Sequence, residues 1–206
     1  SPWQIADYVN ERTGGTFRAS AHSGGTLDLI KEFIAAGYPV VIEKGYELPE
    51  SGWWGHYLTV FGYDDEAQIF YSQDSFLGPW DGSGRTDSYE EFDLYWQQFN
   101  YTFYVVYFPS QEAEVLEILG PELAEPMAMW RHVAARAQAE IDADPTNMFA
   151  WFNLGSALTE MGVKANITRA GPRRTTRRES SVCRHACCGT SFAHTWLIGR
   201  SAVWMM

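Results

Sequence analysis

Cysteine is absent from the first 162 residues of this 206-residue chain, and the three cysteines, Cys183, Cys187 and Cys188, lie near its C-terminal end. The region before them therefore offers neither a disulfide nor a thiol nucleophile, and it does not indicate a redox compartment. The sequence also lacks an apolar run long enough to cross a membrane. No signal peptide is visible, but a chain that begins with Ser rather than Met gives no information on this point. The localisation stays unknown, with cytoplasm and cell envelope both open.

Basic residues are scarce over most of the chain. Residues 1–162 hold 7 Lys and Arg against 25 Asp and Glu, whereas residues 163–206 hold 8 against 1. Because phosphate binding needs a cationic surface, the acidic region, rich in Trp and Tyr, argues against nucleic acid as a partner. Its glycine pairs do not lie in the GxGxxG pattern of phosphate-binding loops. We expect no cofactor and no nucleic-acid partner.

Helix and strand signals alternate along the first hundred residues. Thr26 is predicted to cap a helix, and the apolar run at 39–42 is predicted to be a buried strand. Ser88 and Glu91 form a capping box at the start of another helix. The element order α, α, β, β, β, α, β predicts an α+β fold with a mostly antiparallel sheet.

Two stretches rich in Gly and Ser, residues 13–25 and 76–87, are predicted to be loops. The segment 43–55, which carries Tyr46, is likewise predicted to be a loop. His22, in the first stretch, is expected to be a lone exposed histidine.

Residues 55–74 are predicted to form a β-hairpin, because two runs rich in β-branched and aromatic residues flank a polar turn at Asp65. With the turn centred there, His56 lies opposite Asp74 on the same face of the sheet. Opposed Cβ atoms lie roughly 4.5–5.5 Å apart, which suits an imidazole bonded to a carboxylate. Such a pair is the orienting half of a nucleophile–His–acid triad. A capped turn or a surface ion pair is the alternative interpretation.

Two tryptophans, Trp53 and Trp54, directly precede His56. Paired aromatic residues beside a catalytic histidine are suited to line a cleft for an extended peptide, and we name both as candidate substrate-binding residues. The alternative is that they pin a loop to the core.

Three segments, LIKEFIAAGYPVVIEKGY, WWGHYLTVFGYDD and IFYSQDS, resemble the C39-like group of papain-fold cysteine peptidases. The resemblance covers about residues 2–109. It implies a papain-like fold, a peptide or protein substrate, His56 as the general base and Asp74 as the acid that orients it. The family's Cys, which follows an oxyanion-hole Gln at a helix N-terminus, has no counterpart here and is expected upstream of Ser1. This polypeptide is therefore expected to be catalytically silent. A peptidase-shaped protein-binding scaffold without catalysis is the alternative.

A second resemblance begins at Asp144. Asp144-Pro145, followed by the run 151–155 and Leu158, is similar to the tetratricopeptide pattern W-x2-L-G-x2-Y. It implies an α-helical hairpin that binds a protein partner. The expected division is a peptidase-like domain at 1–109, a linker at 110–126, tetratricopeptide-like helices at 127–162 and a tail at 163–206.

The tail, residues 163–206, has no amphipathic period, and its charge is opposite in sign to that of the preceding region. Two literal interpretations are a basic nucleic-acid patch at 173–178 and a metal site. The metal site would use Cys183, His185, Cys187, Cys188 and His194. This spacing lacks the two-pair pattern of structural zinc sites, so we expect no metal. We interpret the tail as an aberrant translation, disordered or out of frame.

Overall fold

The computed structural model describes residues 1–50 and 52–162. The predictions for the tail, including its basic patch and its Cys and His ligands, lie outside the described residues. The chain divides into two compact units, Ser1–Val133 and Ala134–Met206.

The described residues form an α+β fold, as predicted. Six antiparallel strands make one sheet in the order β1-β6-β2-β3-β4-β5. The elements are α1 (Pro2–Arg12), β1 (Arg18–His22), α2 (Leu27–Ala35), β2 (Val40–Leu48), β3 (Gly52–Asp64), β4 (Ile69–Gln73), β5 (Arg85–Ser88), α3 (Tyr89–Gln97), β6 (Phe103–Tyr107), a 3-10 turn (Pro109–Gln111), α4 (Glu112–Ala124), α5 (Pro126–Ala143) and α6 (Met148–Glu160).

Two helices of the first unit start where their capping residues predict. The hydroxyl of Thr26 accepts the N–H of Leu29 at 3.1 Å, and the hydroxyl of Ser88 accepts the N–H of Glu91 at 3.2 Å. These bonds satisfy N–H groups that a helix start otherwise leaves unpaired.

Both edge strands were missed by the sequence reasoning. β1 lies in the predicted loop 13–25, and β5 lies mostly in the predicted loop 76–87. Each is short, holds few large apolar residues and pairs with a single neighbour, so propensity alone does not reveal it. The prediction that His22 is exposed is wrong, because this residue ends β1 with its side chain buried.

One face of the sheet packs on α2 and α3 and forms the core. Phe33 from α2 and Phe92 and Trp96 from α3 are fully buried there. Their partners on the strands are the fully buried Val40, Ile42, Val60, Phe70, Phe103 and Val105.

The hairpin of β3 and β4 departs from the predicted register. Tyr63 pairs with Phe70 near the turn, whereas Val60 pairs with Ser72, and the register shifts between Val60 and Gly62. Such a shift is a β-bulge, in which one strand holds an extra residue. The prediction that His56 lies directly opposite Asp74 is therefore wrong.

A longer hairpin joins β2 to β3. Within the predicted loop 43–55, residues 43–48 are instead paired with residues 52–57, so that Lys44 lies opposite His56 and Tyr46 lies opposite Trp54.

The second unit contains the C-terminal part of α5 and all of α6. Ala137 and Ile141 of α5 pack against Ala150 and Leu154 of α6. Asn147 caps α6, because its side-chain oxygen accepts the N–H groups of the second and third residues after it, each at 3.1 Å. Helices are therefore present in the region 127–162, where the sequence predicts them.

Candidate active site

His56 and Asp74 meet at the end of the β3–β4 hairpin. Nε2 of His56 lies 3.2 Å from Oδ1 of Asp74. The carboxylate is fully buried, while a quarter of the histidine side chain is exposed. With the register that follows the bulge, the two residues are diagonal neighbours on one face, which long side chains can bridge. The structure thus brings together the two residues that the sequence singled out as catalytic.

Four groups surround the Asp74 carboxylate. Oδ1 accepts the N–H groups of Phe76 and Leu77, each at 2.8 Å, and Oδ2 accepts the hydroxyl of Tyr46 at 2.9 Å. Burial by itself raises the pKa of Asp74, but the hydrogen bonds from these donors, aided by His56, hold that pKa below its ordinary value. The carboxylate is therefore ionised at neutral pH and is fixed in orientation.

The contact of His56 with Asp74 has the distance of an ion pair but not the angle of a hydrogen bond. Nε2 has no hydrogen-bond partner among the described residues. Catalytic hydrogen bonds are often poorly aligned without substrate and improve when substrate binds. The imidazole is therefore placed beside the carboxylate, within the distance of an ion pair.

An aromatic wall, defined here as Trp54 and Phe76, stands next to His56. The rings of Trp54 and Phe76 stack with centroids 6.3 Å apart, and Phe76 lies 5.7 Å from the imidazole. About half of each side chain is exposed. The sequence did not single out Phe76, since an aromatic residue two positions after an aspartate gives no signal of its own.

Trp53 points elsewhere. Its ring stacks on Phe99 with centroids 5.6 Å apart, and its Nε1 donates to the side chain of Gln98. Successive strand residues face opposite sides of a sheet, so Trp53 and Trp54 do not line the same surface. Trp53 joins the long hairpin to the residues that follow α3.

Behind the pair, a buried ion pair links β2 to β5. Nζ of Lys44 lies 2.8 Å from Oδ1 of Asp87, and both side chains are almost fully buried. Lys44 also lies 4.8 Å from the centroid of the Tyr46 ring. A signal for this arrangement is present in the sequence, because Lys44 and Tyr46 continue the alternation of the buried residues Val40 and Ile42.

A cleft of about 500 Å³ opens elsewhere on the sheet, within the size range of small-molecule and peptide sites. Tyr57, Thr59, Trp80 and Tyr104 are among the residues that line it. Asp74 belongs to its lining, so the cleft adjoins the pair at this residue.

Within residues 1–50 and 52–162, no group of three or more His, Cys, Asp or Glu side chains is placed to hold a metal ion. Among the helices that the structure describes, none is both long enough and apolar enough to cross a membrane.

Comparison with known proteins gives one family. Residues 3–104 match the family model described as Peptidase_C39 like family. None of the curated proteins is significantly similar to this chain. A solved structure of a "putative C39-like peptidase" from Bacillus anthracis is 20% identical over 43% of this chain and 50% of its own, with a TM-score of 0.33. The chain thus spans half the length of that protein.

Proposed function

We propose that this chain, whose region 3–104 matches the C39-like peptidases, carries the general base and the orienting acid of a cysteine peptidase site. His56 is the base and Asp74 holds its orientation. The observation that carries the proposal is the contact of 3.2 Å between a partly exposed imidazole and a buried carboxylate. A structural ion pair would not require the ring to remain accessible.

The proposed reaction is hydrolysis of a peptide bond. A Cys supplied by a segment upstream of Ser1 gives its proton to His56, and the thiolate attacks the carbonyl carbon. His56 then donates that proton to the leaving amine, which leaves an acyl-enzyme. Water, deprotonated by His56, attacks the acyl group and releases the acid and the thiol. Asp74 stabilises the imidazolium that forms during each transfer.

The aromatic wall is the proposed substrate contact. Trp54 and Phe76 offer apolar surface beside His56, which suits an apolar side chain of an extended peptide. Trp53 remains a prediction for the same role. Because Trp53 and Trp54 are 48% and 47% exposed, Trp53→Ala and Trp54→Ala form a matched pair of variants. We expect Trp54→Ala to raise the KM for such peptides more than Trp53→Ala does.

The decisive experiment extends the protein upstream with its native coding sequence and treats it with iodoacetamide. Mass spectrometry then follows each cysteine separately, with Cys183, Cys187 and Cys188 as internal references. We expect the upstream Cys to react fastest, and His56→Ala to slow its labelling by about a hundredfold or more, because general-base assistance contributes 10²–10⁴-fold. Asp74→Asn should have a smaller effect of the same sign.

His132→Ala is the matched control, because Nδ1 of His132 lies 3.3 Å from Oε2 of Glu122 in another histidine–carboxylate pair. It should leave the labelling unchanged. If His56→Ala also leaves the labelling rate of the upstream Cys unchanged, the proposed function is contradicted.

A non-catalytic scaffold is the second candidate, favoured by the absence of cysteine from residues 1–162. It predicts that neither Cys nor Gln precedes Ser1 at the position where the family has them.

In both cases we propose that α5 and α6 form a tetratricopeptide-like hairpin that binds a protein partner. The packing of Ala137 and Ile141 on Ala150 and Leu154 supports this assignment.

A further inference from the structure

Tyr46, on β2, contacts the proposed catalytic pair. Its side chain is 8% exposed, and its hydroxyl donates to Oδ2 of Asp74 at 2.9 Å. Its ring centroid lies 6.3 Å from that of His56. Tyr46 therefore touches both members of the pair while it lies on a different strand from either.

The two oxygens of Asp74 have different partners. Oδ1 faces His56 and accepts two backbone N–H groups, whereas Oδ2 has the Tyr46 hydroxyl. The terminal torsion of an aspartate is broad, so a carboxylate bonded through one oxygen can still turn about its own axis. A donor on the second oxygen removes that freedom. The hydroxyl of Tyr46 thus fixes the plane in which Oδ1 meets the imidazole.

The ring of Tyr46 is itself held by two cations. Nζ of Lys44 lies 4.8 Å and Cζ of Arg85 lies 5.7 Å from the ring centroid, distances typical of cation–π contacts. Lys44 is in turn fixed by Asp87. The position of the hydroxyl is therefore set by β2 and β5 together.

The hydroxyl keeps its proton under all ordinary conditions. Burial, followed by the nearby Asp74 carboxylate, raises the pKa of Tyr46 far above its usual value. It therefore remains a donor to Asp74 wherever that carboxylate is ionised.

We propose that Tyr46 is a positioning residue: its hydroxyl orients the Asp74 carboxylate toward His56, and Lys44 and Arg85 hold its ring in place. The catalytic role of Tyr46 rests on the proposed function, whereas its hydrogen bond to Asp74 does not depend on that proposal.

The first test uses the 206-residue chain, Tyr46→Phe and NMR titration of the Asp74 carboxyl carbon. The matched control is Tyr89→Phe, because Tyr89 is also 8% exposed, donates to Oδ1 of Asp65 at 2.9 Å and has Lys31 at 5.3 Å from its ring. We expect Tyr46→Phe to move the Asp74 titration upward and Tyr89→Phe to leave it in place. An Asp74 titration that is identical in wild type and Tyr46→Phe would overturn the proposal.

The second test measures labelling of the upstream Cys in the extended protein with a peptide-based thiol inhibitor. Tyr46→Phe should lower the maximal labelling rate roughly tenfold, because displaced catalytic groups lose rate steeply. The inhibitor concentration at half-maximal rate should not change, which separates positioning from general damage to the fold.

The results also separate the two proposals. If His56→Ala slows labelling and Tyr46→Phe does not, the positioning role is wrong and the proposed function stands. If His56→Ala has no effect, the proposed function fails, and the catalytic role of Tyr46 fails with it.

Discussion

Asp64 and Asp74 make the same pair of backbone hydrogen bonds at the two ends of β4. In each case Oδ1 accepts the N–H groups of the second and third residues that follow, at 2.9 Å for Asp64 and 2.8 Å for Asp74. Only Asp74 is buried and bonded to Tyr46. A comparison of these two aspartates therefore separates the stability that the turn contributes from the stability that the site contributes.

Asp74→Asn should lower the free energy of unfolding by about 2–3 kcal/mol at pH 7, since hydrogen bonds to a buried charge are among the strong ones. Asp64→Asn should cost less than about 1 kcal/mol, because its bonds lie in water-exposed surroundings. Urea unfolding at pH 7 measures both values. Equal losses for the two variants would show that the site adds nothing to the turn.

The contribution of Asp74 should also depend on pH. Because its folded pKa is below the ordinary aspartate value of about 3.9, the stabilisation is complete above that value and is lost as the pH falls through the folded pKa. The difference between wild type and Asp74→Asn should therefore be constant from pH 7 to about 5 and should shrink below about 4. Urea unfolding over this range gives the curve, and a difference that grows in acid would contradict the assignment.

His22 should make the first unit sensitive to mild acid. Burial lowers its pKa from 6.5 to about 4, against the opposing effect of its bond to the carbonyl of Leu123. The unfolded chain binds the proton near pH 6.5 and the folded chain does not, so stability falls as the pH drops from about 6.5 to about 4. The loss at pH 5 should be about 2 kcal/mol.

The check compares wild type with His22→Gln by urea unfolding at pH 7 and pH 5. His22→Gln can lower the free energy of unfolding at pH 7, but that free energy should change less between pH 7 and pH 5 in the variant than in wild type. The same pH dependence in both proteins would rule out His22 as the cause.

The ion pair of Lys44 and Asp87 should be costly to break from one side. Lys44→Met leaves a buried carboxylate without its cation and should cost about 3–5 kcal/mol. The double variant Lys44→Met with Asp87→Leu should recover most of that loss. Lys31→Met is the control, because Lys31 pairs with the exposed Asp28 and Asp65, and such pairs contribute about 0–1 kcal/mol. If the double variant is no more stable than Lys44→Met alone, the loss does not come from the unpaired carboxylate of Asp87.

Two glycines should respond to alanine with opposite signs. A Cβ at Gly55 would overlap the ring of Phe99, whereas a Cβ at Gly155 in α6 meets nothing within 4 Å. Gly55→Ala should therefore destabilise by about 1–3 kcal/mol. Gly155→Ala should stabilise by about 0.5–1 kcal/mol, because alanine favours a helix. Thermal unfolding measures both changes, and a stabilised Gly55→Ala would contradict the contact with Phe99.

The sequence predicted the helices that have caps and the strands that have apolar runs. It failed at β1 and β5, whose residues are small or polar and become strands only because a partner strand lies beside them. It predicted that His56 and Asp74 share a face but not the register that brings them together. Tyr46 was missed because segment 43–55 was interpreted as a loop, which hid the alternation that places its side chain beside Asp74.

The bulge in β3 affects which side of the sheet each side chain of the hairpin faces. Near the turn the partners have numbers of opposite parity, such as Tyr63 with Phe70, and beyond the bulge they have the same parity, such as Val60 with Ser72. Losing Phe61 alone would remove the extra residue, leave Val60 opposite Ser72 and keep His56 and Asp74 on one side of the sheet. Losing Thr59 instead would shift His56 by one position and turn its side chain to the other side of the sheet from Asp74. A single deletion should therefore be tolerated at the bulge itself and should separate the two side chains when it falls between the bulge and His56.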